Sequence, residues 1–390
     1  SFGSDQNSLR TNWSWFSRCR TTTSPRGITL IDGLSMRSIG PRSRVSQTRS
    51  EIPASFAGRR VFFKTLKFEG CADLYIDGVK AAELGKDFNF HAHLEADVTA
   101  FVKPGTRQDF RIAVLHSKWA ALDPSELDKP SPDWRKSKCL TGNLSAFSEL
   151  ELEARPATAI GLVRVKTSYR DKTIAVEAEH PAGCTVRNSV FFRDEKLLSF
   201  GTEAKWENPP LWGPTDFPLL RLVTELVDAD GKVVDEKCTR FGFREIWGDG
   251  MSLMWNGHPV RGDARPFLST WSFQFDIWCK RQHNVDIIVD ARRRGVKFLR
   301  HIGNSSELID FCDELGLPIS LGSMIPAGPS PEKSANRPLW EIKEANDREM
   351  VATHFNHPSI MTWYLSNEYH AQDTDCHFRP VASAVRKVLA

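Results

Sequence analysis

The sequence has no apolar run of the roughly 18–20 residues that a membrane-spanning helix requires, which argues against a helical membrane protein. It has no C-x-x-C pair. Its eight cysteines stand apart, at Cys19, Cys71, Cys139, Cys184, Cys238, Cys279, Cys312 and Cys376, and none has zinc-finger spacing. Free, mostly buried thiols are expected, and no dedicated metal-ligand cluster is visible among them. Strong charge of one sign is also missing. A net charge of +3 over 390 residues gives no argument for nucleic acid. The short basic run "ARRRG" at 291–295 fits a solvated helix face better than a nucleic-acid patch. The first residues lack the charged, apolar, small order of a signal peptide, so none is expected there. The chain opens on Ser1 rather than Met, which leaves room for an upstream segment. Sequons at Asn12, Asn143 and Asn304 matter only in a secreted protein.

What is there is a balanced globular composition, 40% hydrophobic and 26% charged, long enough for several domains. Residues 1–44 are rich in Ser, Thr and Arg and show no period, so a weakly structured lead-in is expected. From about 45 to 157, "GRRVFFKTLKFEG" and "ADLYIDGVKAAEL" alternate apolar and polar residues, and Asp77-Gly78 marks a hairpin turn. Short strands separated by turns predict a β-sandwich of jelly-roll type. From 158 to 244, segments such as "TVRNSVFFRDEKLLSF" predict a smaller sandwich of immunoglobulin size. The Pro-rich "ENPPLWGPTDFP" cannot be a central strand.

Near 245 the rhythm changes to strand, helix, strand, and continues so to the end. "HPVRGDARPF", "VKFLRHIG", "LPISLGSM" and "SIMTWYLSNE" read as strands between helical stretches. That alternation predicts a parallel sheet, open or closed into a barrel. In a barrel, active groups lie at the C-terminal strand ends. Here those ends carry Asp263 with Arg265, Arg300 with His301, Ser323 with Met324, and Asn367 with Glu368. Salt bridges across a barrel mouth would explain such charges as readily as catalysis. Glu368 is the sharpest candidate. Desolvated by Trp363, Tyr364 and Tyr369, its carboxyl would be kept protonated towards neutrality, as a general acid requires. The alternative is a Glu that caps the next segment or pairs with Arg300. His91 and His93 alternate on one strand and read either as metal ligands or as two surface residues.

"NHPSIMTWYLSNE" resembles the acid/base motif of glycoside hydrolase family two, the β-galactosidase and β-glucuronidase group. "FGFREIWGDGMSLMWNGHPVRGDARPF" is similar to that family's approach to its barrel, and "RRRGVKFLRHIGNSSELIDFCDELGLPI" to its second strand, helix and third strand. "KFEGCADLYIDGVKAAEL" resembles its N-terminal jelly roll. The resemblance runs from about 45 to the end. It implies a jelly roll over 45–157, an immunoglobulin-like sandwich over 158–244, and the first half of a (β/α)8 TIM barrel over 245–390. It implies a retaining hydrolase of terminal β-linked sugars, β-galactosidase-like, with Glu368 as acid/base. Asn367 would hold the hydroxyl beside the anomeric carbon. Arg300 would lie near the nucleophile and Asp263 would line the pocket, with His301, Tyr369 and His370 as further pocket residues.

The sequence also departs from the family. A retaining enzyme needs two carboxylates roughly 5–5.5 Å apart. The family's nucleophile lies on a later strand, so this chain is expected to lack it and to be inactive alone. "RGDARPF" stands where many relatives place a His, and the acidic end of the third strand is replaced by "GSMIPAGPSP". The expected partner is carbohydrate. A half barrel would expose an open sheet edge and apolar surface, which predicts self-association and is compatible with a homo-oligomer. The competing reading is a carbohydrate-binding protein without turnover.

Overall fold

The computed structural model describes residues 26–31, 35–40, 43–89, 94–115, 146–213, 215–260, 267–271, 288–296, 298–302, 306–322 and 338–365. The chain divides into two compact units. One comprises residues 155–259 with the segment up to Gly27, the other residues 28–154 with 260–390.

The second unit opens with β1 (Gly27–Leu30), β2 (Ser35–Gly40), β3 (Ser43–Glu51), β4 (Arg60–Ile76), β5 (Val79–Asn89), β6 (Leu94–Asp97), β7 (Arg107–Leu115) and β8 (Ala146–Arg155). They form one sheet in the order β1-β8-β4-β7-β3-β2, with β5 and β6 also paired to β4. The alternation along β4 and β8 places Val61, Phe63, Leu150 and Leu152 in a core with Phe56, Leu74 and Phe110. The Asp77-Gly78 turn between β4 and β5 has φ of 50° and 82°. That is the left-handed pair a two-residue hairpin needs to match strand twist. Part of the lead-in expected to be weakly structured is therefore strand. β1 and β2 lie within residues 27–40, and β3 crosses the expected boundary at 44/45. Their Ser- and Arg-rich sequence hides the period because little of it is apolar.

Lys64 on β4 lies 3.2 Å from Glu151 and 3.0 Å from Glu153 of β8. Burial works against its charge, but the two carboxylates overcome this and hold its pKa above the ordinary lysine value.

The first unit contains β9 (Val163–Ser168), β10 (Thr173–Ala178), β11 (Thr185–Phe192), β12 (Glu195–Phe200), β13 (Glu203–Lys205), β14 (Leu220–Val227) and β15 (Val233–Phe241). Two antiparallel sheets, β13-β10-β9 and β12-β11-β14-β15, share a core of Val163, Val165, Ile174, Val176, Val190, Leu222 and Phe241. The buried Asp235 accepts from Arg26 at 2.6 Å and from the backbone of Ile160 at 2.8 Å. Residue 26 is thus fastened to this unit just before β1 begins.

A three-stranded group follows, β16 (Ile246–Asp249), β17 (Ser252–Trp255) and β18 (His258–Val260). Trp212, wholly buried, is the hub that fixes it. Its carbonyl accepts from Asn256 Nδ2 at 3.0 Å and Trp255 Nε1 at 3.3 Å. Asn256 sits at φ 46°, where Asn is one of the few side chains at ease. Its Oδ1 accepts from the Glu245 backbone at 2.9 Å. The Glu245 carboxylate in turn receives Arg170 Nε at 2.8 Å and the Arg170 backbone at 2.9 Å.

The chain then builds four parallel strands in sequence order: β19 (Phe267–Trp271), β20 (Phe298–Ile302), β21 (Ile319–Gly322) and β22 (Ile360–Tyr364). Helix lies between them, at 288–293, in α1 (Ser306–Leu315) and in α2 (Pro338–His354). Two glycines stop helices the same way. Gly295 (φ 72°) and Gly316 (φ 64°) turn left-handed, and the next amide reaches back to Ala291 O and Cys312 O, both at 2.9 Å. That reach satisfies carbonyls a helix end otherwise leaves open. Leu308, Ile309, Phe311 and Cys312 of α1 and Met350 and Val351 of α2 are buried, as are Leu299, Ile319 and Leu321 of the sheet. Among the described residues no helix is long and apolar enough to cross a membrane.

Candidate active site

The parallel sheet has one apolar and one polar face, because successive strand residues point to opposite sides. Buried Leu299 and Leu321 lie on the first face. Arg300, Ser320 and Thr362 are register partners across β20, β21 and β22 on the second. Thr362 Oγ1 donates to Ser320 Oγ at 2.8 Å. A run that reads as apolar thus delivers a row of polar groups inside one sheet.

One row nearer the C-terminal ends, Gly322 is the register partner of Tyr364. The Tyr364 ring occupies the space a side chain at 322 would need. A Cβ there would lie 1.9 Å from Tyr364 Cζ. The Arg300 guanidinium stands 4.8 Å from the centre of the same ring. A cation over an aromatic face gains about 0.5–2 kcal/mol, more as the pair leaves water. Burial raises the Tyr364 phenol above its ordinary pKa, and the neighbouring Arg300 charge opposes the rise. The phenol oxygen is buried, no partner reaches it at full hydrogen-bond geometry, and the Arg300 side chain is the group that interacts with it.

Of the residues expected in the site, Arg300 is on this polar face. His301 is in register with Leu321, a position on the apolar face, so the sheet does not bring it together with Arg300. The first parallel strand differs from expectation. It is β19, which begins at Phe267 and ends at Trp271, so Asp263 precedes the strand instead of ending it. Pro266 cannot donate to a ladder, which fits a strand that starts just after it. Asp263, Asn367, Glu368, Tyr369 and His370 lie outside the described residues. β22 ends at Tyr364, and the chain continues from there directly into Asn367 and Glu368. His91 and His93 also lie outside the described residues.

The sequence reading missed a cluster at the opposite end of β22. His357 Nδ1 lies 2.6 Å from Asp313 Oδ2 of α1 and 3.8 Å from Asp310. Asp313 Oδ1 accepts from the Ser359 backbone at 3.0 Å, and Ser359 O accepts from Ile319 N at 2.8 Å. Asp310, Asp313 and His357 offer donor atoms within 4.8 Å of one another, a spacing a metal ion could use. Both Asp313 oxygens already serve His357 and Ser359, so the cluster reads as a clamp on the start of β22. The signal was present in the sequence as "CDELG" and "NHPS", but nothing in either motif says they meet.

Comparison with known proteins places these features. Residues 148–244 match the family model for glycosyl hydrolases family 2. The chain is 28% identical over 317 residues to a β-galactosidase of Aeromonas hydrophila subsp. hydrophila, covering 70% of this chain and 28% of that protein. It therefore spans little more than a quarter of that relative's length. Among solved structures, a β-D-glucuronidase of Dictyoglomus thermophilum superposes with a TM-score of 0.73 at 17% identity, over 95% of this chain and 72% of that one. A β-glucuronidase of Ruminococcus gnavus in complex with D-glucuronic acid gives 0.73 at 16%, over 95% and 72%. At such identities the superpositions speak for the fold.

Proposed function

We propose that this chain, a member of glycoside hydrolase family two, carries the acid/base half of a retaining glycosidase site. The observation that carries the reading is the course of β22. It is the fourth strand of a parallel sheet, clamped at its start by the Asn-His-Pro-Ser segment, and in the sequence Asn367-Glu368 follow shortly after its last residue, Tyr364. Strand ends of this kind are where such folds place reacting groups.

In this reading the first sheet is the jelly roll, the two-sheet unit is the immunoglobulin-like domain, and β19–β22 are the first half of a TIM barrel. The Glu368 carboxylic acid protonates the leaving oxygen as the glycosidic bond breaks. A second carboxylate attacks the anomeric carbon from the opposite face and forms a glycosyl-enzyme ester. Glu368, now a carboxylate, takes a proton from the water that releases the sugar. Asn367 holds the hydroxyl beside the anomeric carbon, and Arg300 supplies positive charge below it. Asp263, Tyr369 and His370 are proposed pocket residues. The substrate is a terminal β-linked sugar, with β-galactosides and β-glucuronides the two classes to assay.

The test is Glu368→Gln in a protein that contains this chain and hydrolyses such glycosides. Hydrolysis of substrates with poor leaving groups should fall by about 100-fold or more, while those with good leaving groups lose far less in the first step. Unchanged turnover of ordinary glycosides removes Glu368 from the mechanism. Sugar binding without any turnover would favour the carbohydrate-binding reading.

A further inference from the structure

We infer that Tyr364 is a positioning residue that fixes the Arg300 guanidinium on the polar face of the parallel sheet. The inference rests on the reading of that face as part of a glycosidase site. Three observations meet here. Tyr364 and Gly322 are register partners on adjacent strands. The Tyr364 ring lies across β21, its Cζ, Cε1 and Cε2 at 1.9, 2.2 and 2.3 Å from where a Cβ at 322 would stand. On the far side of β21, Arg300 of β20 meets that ring at 4.8 Å. The ring therefore bridges from β22 to β20, and only a glycine on the strand between lets it do so.

An arginine side chain has many rotamers, and its donors all lie in one plane. Resting that plane against a ring limits its orientations. The guanidinium stands over the face of the ring, and no partner of the phenol oxygen reaches full hydrogen-bond geometry. Tyr364→Phe should therefore be tolerated. Gly322→Ala should be harmful, although it changes a residue that touches no substrate.

The experiment compares Tyr364→Phe, Tyr364→Leu and Gly322→Ala in a hydrolytically competent protein containing this chain. Tyr364→Phe should stay within about twofold of the parent in kcat/KM. Tyr364→Leu and Gly322→Ala should each lose on the order of 10- to 100-fold, the scale of a group displaced by about 1 Å. Their double variant should lose no more than either alone. A second readout does not depend on turnover. In protein labelled with 15N-arginine, the Arg300 side-chain Nε–H signal, identified by its loss in Arg300→Lys, should carry a ring-current shift. Tyr364→Phe should keep that shift, and the other two variants should abolish it. Full activity in Tyr364→Leu and Gly322→Ala overturns the inference, and so does a shift that survives both. A Tyr364→Phe defect as deep as that of Tyr364→Leu overturns it too, by assigning the role to the hydroxyl. If the shift behaves as expected while Glu368→Gln leaves hydrolysis unchanged, the glycosidase reading fails and the Tyr364–Arg300 contact stands.

Discussion

His357 and Asp313 share a 2.6 Å contact that ties the start of β22 to α1. The Asp313 side chain is 1% exposed, and its other oxygen holds the Ser359 amide. Replacing it by Ala takes this acceptor from the buried Ser359 amide and the part-buried His357 imidazole, at about 1–3 kcal/mol each. Asp313→Ala should therefore destabilise the parallel-sheet region by about 3 kcal/mol in urea unfolding. Asp313→Asn keeps one acceptor and should recover part of the loss. Equal stability of Asp313→Ala and the parent would show that the clamp contributes nothing.

Glu245 predicts an acid-sensitive first unit. Burial pushes its pKa up, but Arg170 and Ser168 donate to the carboxylate and hold it below the usual value. A depressed folded pKa means stability that is fully present above the unfolded pKa, near 4.3. It is lost as pH falls through the folded pKa. At neutral pH Glu245→Gln should have a lower urea midpoint than the parent, and the gap should close as pH drops below about 4. A gap independent of pH would mean that shape, not charge, sets the role of Glu245.

The sequence made local features legible and left contacts between distant segments unread. Asp77-Gly78 announced a hairpin because its backbone needs are local. The alternation after 245 announced a parallel sheet because its period is long and repeated. The Gly322–Tyr364 approach was unreadable, since neither residue signals the other. Gly322 read only as one residue of the strand "LPISLGSM", and Tyr364 as apolar strand. The start of the first parallel strand was also misplaced, at "HPVRGDARPF", because β18 and β19 both fit a short strand and only pairing tells them apart. For Glu368 the motif remains the argument.

Asn256 predicts an order among substitutions. Its positive φ costs a typical side chain about 1–2 kcal/mol, and its amide makes two hydrogen bonds that fix Trp212 and Glu245. Asn256→Ala loses both advantages and should cost about 3 kcal/mol. Asn256→Gly keeps the backbone at ease and should cost less. Asn256→Asp sets an oxygen against the Trp212 carbonyl and should be worse than Gly at neutral pH. Thermal melts of the three variants check the order, and Ala outlasting Gly would refute it.

Arg26 makes the last prediction, from a stretch whose sequence shows no pattern at all. Asp235 is wholly buried, and Arg26 reaches it with Nε at 3.0 Å and Nη2 at 2.6 Å. Nη2 also donates to the Ile160 carbonyl at 2.6 Å. Removing one partner of a buried pair costs about 3–5 kcal/mol, because the other charge stays buried. Replacing both partners costs far less. Arg26→Met should therefore lower the urea midpoint of the first unit sharply. Arg26→Met with Asp235→Asn should recover much of the loss, since Asn can still accept from Ile160 N and carries no charge. If the double variant is as unstable as Arg26→Met alone, the lost Arg26 bond to the Ile160 carbonyl, and not the stranded carboxylate, sets the cost.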